Sequence, residues 1–429
     1  MLLTRFWKNR QGSIAPLLGI AIIPLIGGVG AAIDYTRASA ARTAFQSSLD
    51  SAALMLSKTA ALKSAAEIQA EATSYVNALF TANNAKNVTV SAAYSTTNGS
   101  QLVLSGSATV QTSFMSIFGI DTINIGASTT STWGNTRLRV ALVLDNTGSM
   151  ASSNKMTALK TASQNLLTQL KSAAVTADDV YVSIVPFNKD VNVDVSNVNA
   201  SWLRWDLWDA VNGKCSNTTY KTQSSCVAAG KTWTPNSHTT WNGCVTDRDQ
   251  NFDTTNDPPG AGSTLYPTEQ YSSCPVSLVG LGNDWTALSN KITAMQPVGN
   301  TNQAIGLQMG WQSLTAAPFS VPAMDPNYQY KQVIILLSDG LNTQDRWYTS
   351  ASSIDTRQQK TCDNIKAAGI TIYTVQVNTD NEATSTLLQN CASNTTGTTD
   401  HFFLLTSSEQ IVSTFGQIGT ALSNLRLAM

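Results

Sequence analysis

Residues 140–150 read VALVLDNTGSM. An apolar run ends at Asp145, and Thr147 and Ser149 follow at alternating positions with Gly148 between them. Two structures fit this pattern. One is a buried strand that leads into an ordinary helix cap, because Asp, Thr and Ser all satisfy helix N-termini. The other is a strand that delivers oxygen ligands to a metal ion.

The flanking chain favours the second. Near-continuous apolar segments recur at LRVALVL (138–144), VYVSIVPF (180–187), KQVIILL (331–337), ITIYTVQV (370–377) and HFFLL (401–405). Helical patterns separate them at 155–173, 303–314 and 352–369. Apolar strands alternating with helices predict an α/β domain with a doubly wound, largely parallel sheet covered on both faces. Ligands of such folds sit at the carboxyl ends of the strands. Three oxygen-bearing loops fall there: Asp145-Asn-Thr147-Gly-Ser149, then Gly299-Asn-Thr301-Asn before a helix, then Ser338-Asp339-Gly340 after a strand.

Each loop alone reads as a cap or a turn. Taken together, in order and each at a strand end or a helix start, they indicate a metal-ion-dependent adhesion site. Two carboxylates and three hydroxyls, without nitrogen or sulfur, suit a hard octahedral cation: Mg²⁺ first, with Mn²⁺ and Ca²⁺ as alternatives. Ser149 and Thr301 are expected to bind directly, and Asp145, Thr147 and Asp339 directly or through water. So few protein charges leave the ion electrophilic, with an open position for a partner's carboxylate.

These motifs resemble those of the von Willebrand factor type A (vWA) domain, whose D-x-[ST]-x-S pattern corresponds to Asp145-Asn-Thr147-Gly-Ser149. The second-loop threonine corresponds to Thr301 and the third-loop aspartate to Asp339. Thr147 stands where serine is more usual and keeps the hydroxyl. The resemblance implies a Rossmann-like fold with ligand binding completed by a metal. It also implies an insertion at about residues 200–280, between the first and second motif loops. Within the insertion, Trp202, Trp205 and Trp208 recur every three residues, which at helical spacing predicts a core-facing stripe. The turn-rich stretch after them, 213–244, reads either as a disulfide-stapled loop or as a partner-recognition surface.

Six cysteines, at 215, 226, 244, 274, 362 and 391, show no CxxC spacing. An even number in an extracytoplasmic domain predicts disulfides, with fifteen connectivities open. The expected arrangement is Cys362–Cys391, with Cys215, Cys226, Cys244 and Cys274 paired among themselves. The two histidines, His238 in a polar loop and His401 at a strand start, read as structural or solvated. Hydrolase chemistry that needs a histidine base is therefore not expected. A net charge of −1 leaves no electrostatic footprint for nucleic acid.

The N-terminus carries Arg5, Lys8 and Arg10, then 21 uncharged residues from Ser13 to Ile33. That length crosses a bilayer as one helix, and Pro16 and Pro24 are tolerated there. An uncleaved anchor is expected, with cleavage near Gly30-Ala31-Ala32 as the alternative. The basic residues place the N-terminus in the cytoplasm and the chain after Ile33 outside. An alanine-rich helical pattern continues through 33–61, followed by a second helix at 65–80. Strands are then predicted at 87–95, 101–110 and 122–133, with a turn at Asn98-Gly99. A long helix on a small sheet has the outline of a pilin-like subunit.

Residues 5–55 and 391–427 are similar to the start and tail of TadE-like and TadG-like Flp (tight adherence) pilus-assembly proteins. Flp-type prepilins carry Glu-Tyr soon after the processing glycine. Here Gly12 is followed by SIAPLLGIAII, and Asp34-Tyr35 comes too late, which favours a retained anchor over a fibre subunit. The expected domains are a TadE/TadG-like segment at 1–58 with its membrane helix at about 13–33, a small α+β module at 59–135, and a vWA domain at 136–429.

The resemblance implies a bacterial, single-pass inner-membrane protein with periplasmic domains, acting in Flp pilus assembly rather than as an enzyme. Its expected partners are other Tad/Flp assembly or minor pilin-like proteins, one of which supplies an acidic residue to the metal. A cell-surface adhesin that binds an external protein independently of pili is the alternative.

Overall fold

The structure is a computed structural model that describes residues 14–57, 59–60, 63–82, 84–96, 100–133, 136–174, 176–315, 317–326, 328–379 and 382–427. Arg5, Lys8, Arg10, Gly12, Ser13 and the Asn98-Gly99 turn lie outside the described residues. The chain forms two compact units that divide after residue 135.

The first unit opens with helix α1, Ile14–Ser57, which runs through Pro24. Its described N-terminal part is long and apolar enough to cross a membrane; Ile20, Ile23, Leu25 and Val29 are exposed. Beyond Ile33 one face turns inward. Phe45, Leu49 and Leu56 are fully buried against Ile68, Ala72 and Val76 of α2, Ala65–Leu79. A capping box starts α2: Ser64 Oγ accepts from the Glu67 amide while the Glu67 carboxylate accepts from the Ser64 amide. Strands β1 (Ala85–Ser95), β2 (Ser100–Gln111) and β3 (Thr122–Trp133) form an antiparallel sheet with β2 in the middle. Leu102, Leu104 and Val110 of β2 complete this core.

The second unit is the doubly wound domain. Its main strands are β4 (Thr136–Asp145), β5 (Val180–Phe187), β6 (Val191–Asn192), β7 (Cys244–Val245), β8 (Val279–Gly282), β9 (Gln329–Ser338), β10 (Thr371–Val377) and β11 (Phe402–Leu405). The spatial order is β7-β6-β5-β4-β9-β10-β11, with β8 also pairing β5. The five strands from β5 to β11 along this order are mutually parallel, whereas β6, β7 and β8 are antiparallel additions at one edge. Chain order reverses direction between β4 and β9, so the switch point lies at the carboxyl ends of those two strands.

Alternation along β4 explains the layers. Leu138, Val140, Leu142 and Leu144 face one core with Leu159 and Leu166 of α3 (Lys155–Ala173), Leu288 of α4 (Trp285–Ala294) and Phe415 of the C-terminal helix 409–427. Ala141 and Val143 face the other, with Leu307 of α5 (Gln303–Thr315) and Ile365 of α6 (Ala351–Ala367). Helix α5 is buried from Gln303 to Leu314 and approaches β4 through glycines. A Cβ on Gly310 would lie 2.5 Å from Val143 Cγ2, and one on Gly306 would lie 2.7 Å from the Phe187 ring. Gly310→Val is therefore expected to destabilise this unit by about 1–3 kcal/mol through overpacking, read as a lower urea midpoint with an unchanged m-value.

The tryptophans do not form one helical stripe. Trp202 precedes a two-residue strand, Trp205 caps a six-residue helix, and only Trp208 lies inside that helix. All three still pack into the second core. A period of three over so short a stretch does not distinguish a helix from a strand followed by a turn of helix. The cysteines form Cys215–Cys226, Cys244–Cys274 and Cys362–Cys391, so two disulfides staple the insertion and one joins α6 to the segment before β11.

Candidate metal centre

Asp145 is the last residue of β4 and is fully buried. Its Oδ1 accepts from the Thr147 amide at 2.8 Å and the Thr147 hydroxyl at 2.5 Å, and its Oδ2 accepts from Ser338 Oγ at 2.6 Å. Thr147 Oγ1 lies 2.9 Å from Ser149 Oγ, which donates to Asp339 Oδ1 at 2.6 Å. The first and third loops therefore meet directly, because β4 and β9 pair in register up to Leu144 and Leu337. None of these side chains caps the following helix. Helix α3 starts six residues after Ser149, with Asn154 at its N-cap and no side-chain cap bond.

The second loop joins through its backbone. The Gly148 amide donates to Gly299 O at 3.0 Å and the Val298 amide to Asn146 O at 2.8 Å. Gly299 has φ +80°, and a Cβ there would lie 2.7 Å from Asn188 Nδ2 and 2.9 Å from Tyr271 Oη, so only glycine suits this crossing. Thr301, 5% exposed, is held by its amide to Thr343 Oγ1 at 2.8 Å and by its carbonyl, which accepts from the Thr343 and Gln344 amides. Among the described residues, no hydrogen bond ties its hydroxyl to the other four candidates.

One group at the site has no place in the motif pattern. Lys155, the first residue of α3, donates from Nζ to Asp339 Oδ2 at 2.8 Å, and its side chain is only 3% exposed. A cation in the first turn opposes the helix dipole. A lysine at the start of a helical pattern is the one trace of this contact that the sequence carries. Burial first, and then the Asp339 carboxylate, raise the Asp145 pKa, while the bonds from Ser338 and Thr147 oppose the rise.

The donor set fits a hard cation. Two carboxylates and the Thr147 and Ser149 hydroxyls form one hydrogen-bonded chain, Asp145–Thr147–Ser149–Asp339, with Thr301 on the adjoining loop, and the repulsion that raises Asp145 is the kind a cation removes. Among the described residues, no group of three or more His, Cys, Asp or Glu could hold a metal. A cation here therefore depends on the hydroxyls.

The insertion, together with Lys189 and the segment 344–347, builds a second feature beside these loops. A cavity of about 460 Å³ is lined by Lys189, Trp208, Glu269, Gln344, Arg346 and Trp347, among others. Behind it, Asp247 accepts from Asn302 Nδ2 at 2.9 Å and from the Arg346 amide at 3.2 Å. The histidines lie elsewhere: His238 stacks on Trp205 and places Nε2 2.8 Å from Asp209, and His401 packs beside Tyr373 and Asp400.

Two family models match separate parts of the chain. Residues 12–57 match the Flp pilus-assembly TadE/G-like family model. Residues 263–417 match the von Willebrand factor type A domain model, a range that takes in Thr301 and Asp339 but not the first motif loop. No curated protein matches the chain. Similar solved structures include the pilus adhesin SpaC from Lactobacillus rhamnosus GG, at 14% identity and TM-score 0.39, covering 80% of this chain and 35% of that one. The chain thus spans about a third of the SpaC length. Others are the vWF domain of the type V pili tip protein Mfa5 from Porphyromonas gingivalis (11%, TM-score 0.38, 68% and 97%) and mussel byssus proximal thread matrix protein 1, with a zinc-occupied MIDAS motif (10%, TM-score 0.35, 67% and 48%). The chain therefore carries a TadE/G-like segment at its N-terminus, followed by a von Willebrand factor type A domain.

Proposed function

We propose that this chain is a membrane-anchored, extracytoplasmic component of Flp/Tad pilus assembly whose vWA domain grips a protein partner through a divalent cation. One observation carries the reading: Asp145, Thr147, Ser149 and Asp339 meet at the switch point of a domain that follows a TadE/G-like segment. Ser149 and Thr301 would hold the ion directly, with Asp145, Thr147 and Asp339 as direct or water-mediated ligands. Mg²⁺ suits the all-oxygen set best, ahead of Mn²⁺ and Ca²⁺. Bound there, the ion supplies an electrophilic position for a partner's carboxylate.

The chain's own residues prepare that position. Thr147 and Ser338 fix both oxygens of Asp145, and Ser149 and Lys155 fix those of Asp339. The cavity between the insertion and the segment 344–347 gives the same partner a second place to be recognised. Both histidines are engaged away from these loops, which supports binding over catalysis. The partners are other Tad/Flp assembly proteins or minor pilin-like subunits. The anchor lies in the inner membrane, with the N-terminus cytoplasmic and the domains periplasmic.

Cells carrying Asp145→Ala with Ser149→Ala, at normal protein abundance, are expected to display few or no surface fibres, counted by electron microscopy. Normal fibres would overturn the assembly role for the metal site. If such cells had also lost surface attachment, the adhesin reading would replace it.

A further inference from the structure

Between β2 and β3 the chain reads TSFMSIFGI over 112–120, without a charged residue. Its large apolar side chains point outward: Phe114 is 36% exposed, Ile117 76%, Phe118 57% and Ile120 46%. In water such a cluster is unfavourable. The loop lies against the apolar part of α1, where Ile22, Ile23, Ile26 and Gly27 line a cavity of about 170 Å³ with Phe114, Ile117 and Phe118. Contact with the helix is close. A Cβ on Gly30 would fall 2.5 Å from Phe114 Cβ, and one on Gly27 would fall 2.9 Å from Phe118 Cζ.

Asp34 straps the loop to the helix. Its carboxylate accepts from the amides of Ser113, Phe114 and Met115 at 3.0, 2.8 and 2.8 Å, and Arg37 Nη1 donates to Ser113 Oγ at 3.0 Å. The remaining backbone is largely satisfied within the loop. The amides of Thr112, Ile117, Gly119 and Ile120 donate to Asp121, Phe114, Ser116 and Met115 carbonyls, and the Thr112 hydroxyl donates to Ile120 O. Pairing these groups removes much of the cost of taking the loop's backbone out of water.

We infer that residues 112–120 enter the bilayer beside α1, where Phe114, Ile117, Phe118 and Ile120 meet the acyl chains of the leaflet nearest the folded units. The inference rests on reading α1 as a membrane span. At 1.5 Å of rise per residue, Gly30 and Gly27 lie about 6 and 10 Å along the helix from Asp34, so a loop strapped to them shares their depth. It forms a second, non-spanning attachment that fixes how the small sheet stands on the membrane. Continuity with the exposed apolar face of α1 identifies lipid as the occupant.

The test uses the full chain in phosphatidylcholine–phosphatidylglycerol vesicles. All six native cysteines are in disulfides, so Ile117→Cys offers one free thiol for an environment-sensitive NBD label. Ile22→Cys in the span and Ser91→Cys on β1 serve as references. Quenching by shallow doxyl-lipid is expected to be several-fold greater at position 117 than at 91, and at 117 greater from shallow than from deep doxyl-lipid. Strong quenching at 22 with none at 117 would overturn the inference and leave the span intact. No quenching at 22 would overturn the span itself, and the inference with it. A label at 117 that is shielded from water but not reached by lipid quenchers, and released on dilution with excess lipid, would mean that a second copy of the chain covers the loop, which also overturns it.

Discussion

Lys155→Met is expected to destabilise the vWA domain by about 3–5 kcal/mol in EDTA, and by much less in saturating Mg²⁺. The Lys155 ammonium pairs with Asp339 Oδ2 at 2.8 Å, with side-chain exposures of 3% and 0%. Removing one partner leaves a buried carboxylate uncompensated beside a second, Asp145, which is itself fully buried. Methionine keeps the volume of the lysine stem, so the loss reports charge rather than a cavity. A divalent cation restores the compensation and stabilises the folded state by mass action, about 2.7 kcal/mol at one hundred times its dissociation constant. It also binds the variant more tightly than the parent, because no ammonium competes for Asp339. Urea unfolding with and without Mg²⁺, together with calorimetric titration of the ion, checks both parts. Equal stability of parent and variant in EDTA would show that the pair contributes nothing. An Mg²⁺-independent loss would remove the cation from the site.

The second large effect is a pH dependence carried by Asp247. Burial first, and then the neighbouring charge of Asp345, raise its pKa to about 7, against the bonds from Asn302 and Arg346. Between about pH 4 and pH 7 the folded protein thus holds a proton there that the unfolded chain has released. Stability from this group is full below the unfolded carboxyl pKa and is lost as pH rises to the folded one. The whole window corresponds to roughly 4 kcal/mol, of which about 2–3 kcal/mol falls between pH 5 and pH 8. Asp247→Asn keeps an acceptor for Asn302 and cannot ionise. The variant is expected to lack this part of the loss, read from urea midpoints by tryptophan fluorescence at the two pH values. A parent and a variant with the same pH slope would clear Asp247 of the effect.

The α/β character was legible because parallel strands buried on both faces must be apolar throughout, as LRVALVL and KQVIILL are. The alternating allegiance of Leu142 and Val143 to two different cores follows from the pleat alone. The position of the first and third loops was legible for the same reason: polar oxygens at the ends of apolar strands stand out.

What bridges them was not. The bond from Ser338 to Asp145 depends on the register of two strands 193 residues apart, which no local pattern encodes. Lys155 was legible in principle as a cation against the dipole of α3, but its partner belongs to a distant loop. The tryptophan spacing gave the core-facing role correctly but not one helix, because the insertion changes from strand to helix within a few residues. The apolar loop at 112–120 gives no signal of its own until Asp34 is seen to hold it against α1.

The order of the central strands has a temporal consequence. During synthesis Asp145, Thr147 and Ser149 emerge first, but the strand that carries Asp339 takes its place between β4 and β10 only after almost two hundred further residues have followed. Loop closure over such a distance precedes any gain from the contacts it brings. An unfinished chain therefore holds the first motif loop without the Asp339 carboxylate that Ser149 bonds to. The site is complete only when residue 339 is in place beside β4, after the insertion that supplies one side of the neighbouring cavity has already been made and before Gln344, Arg346 and Trp347 close the other.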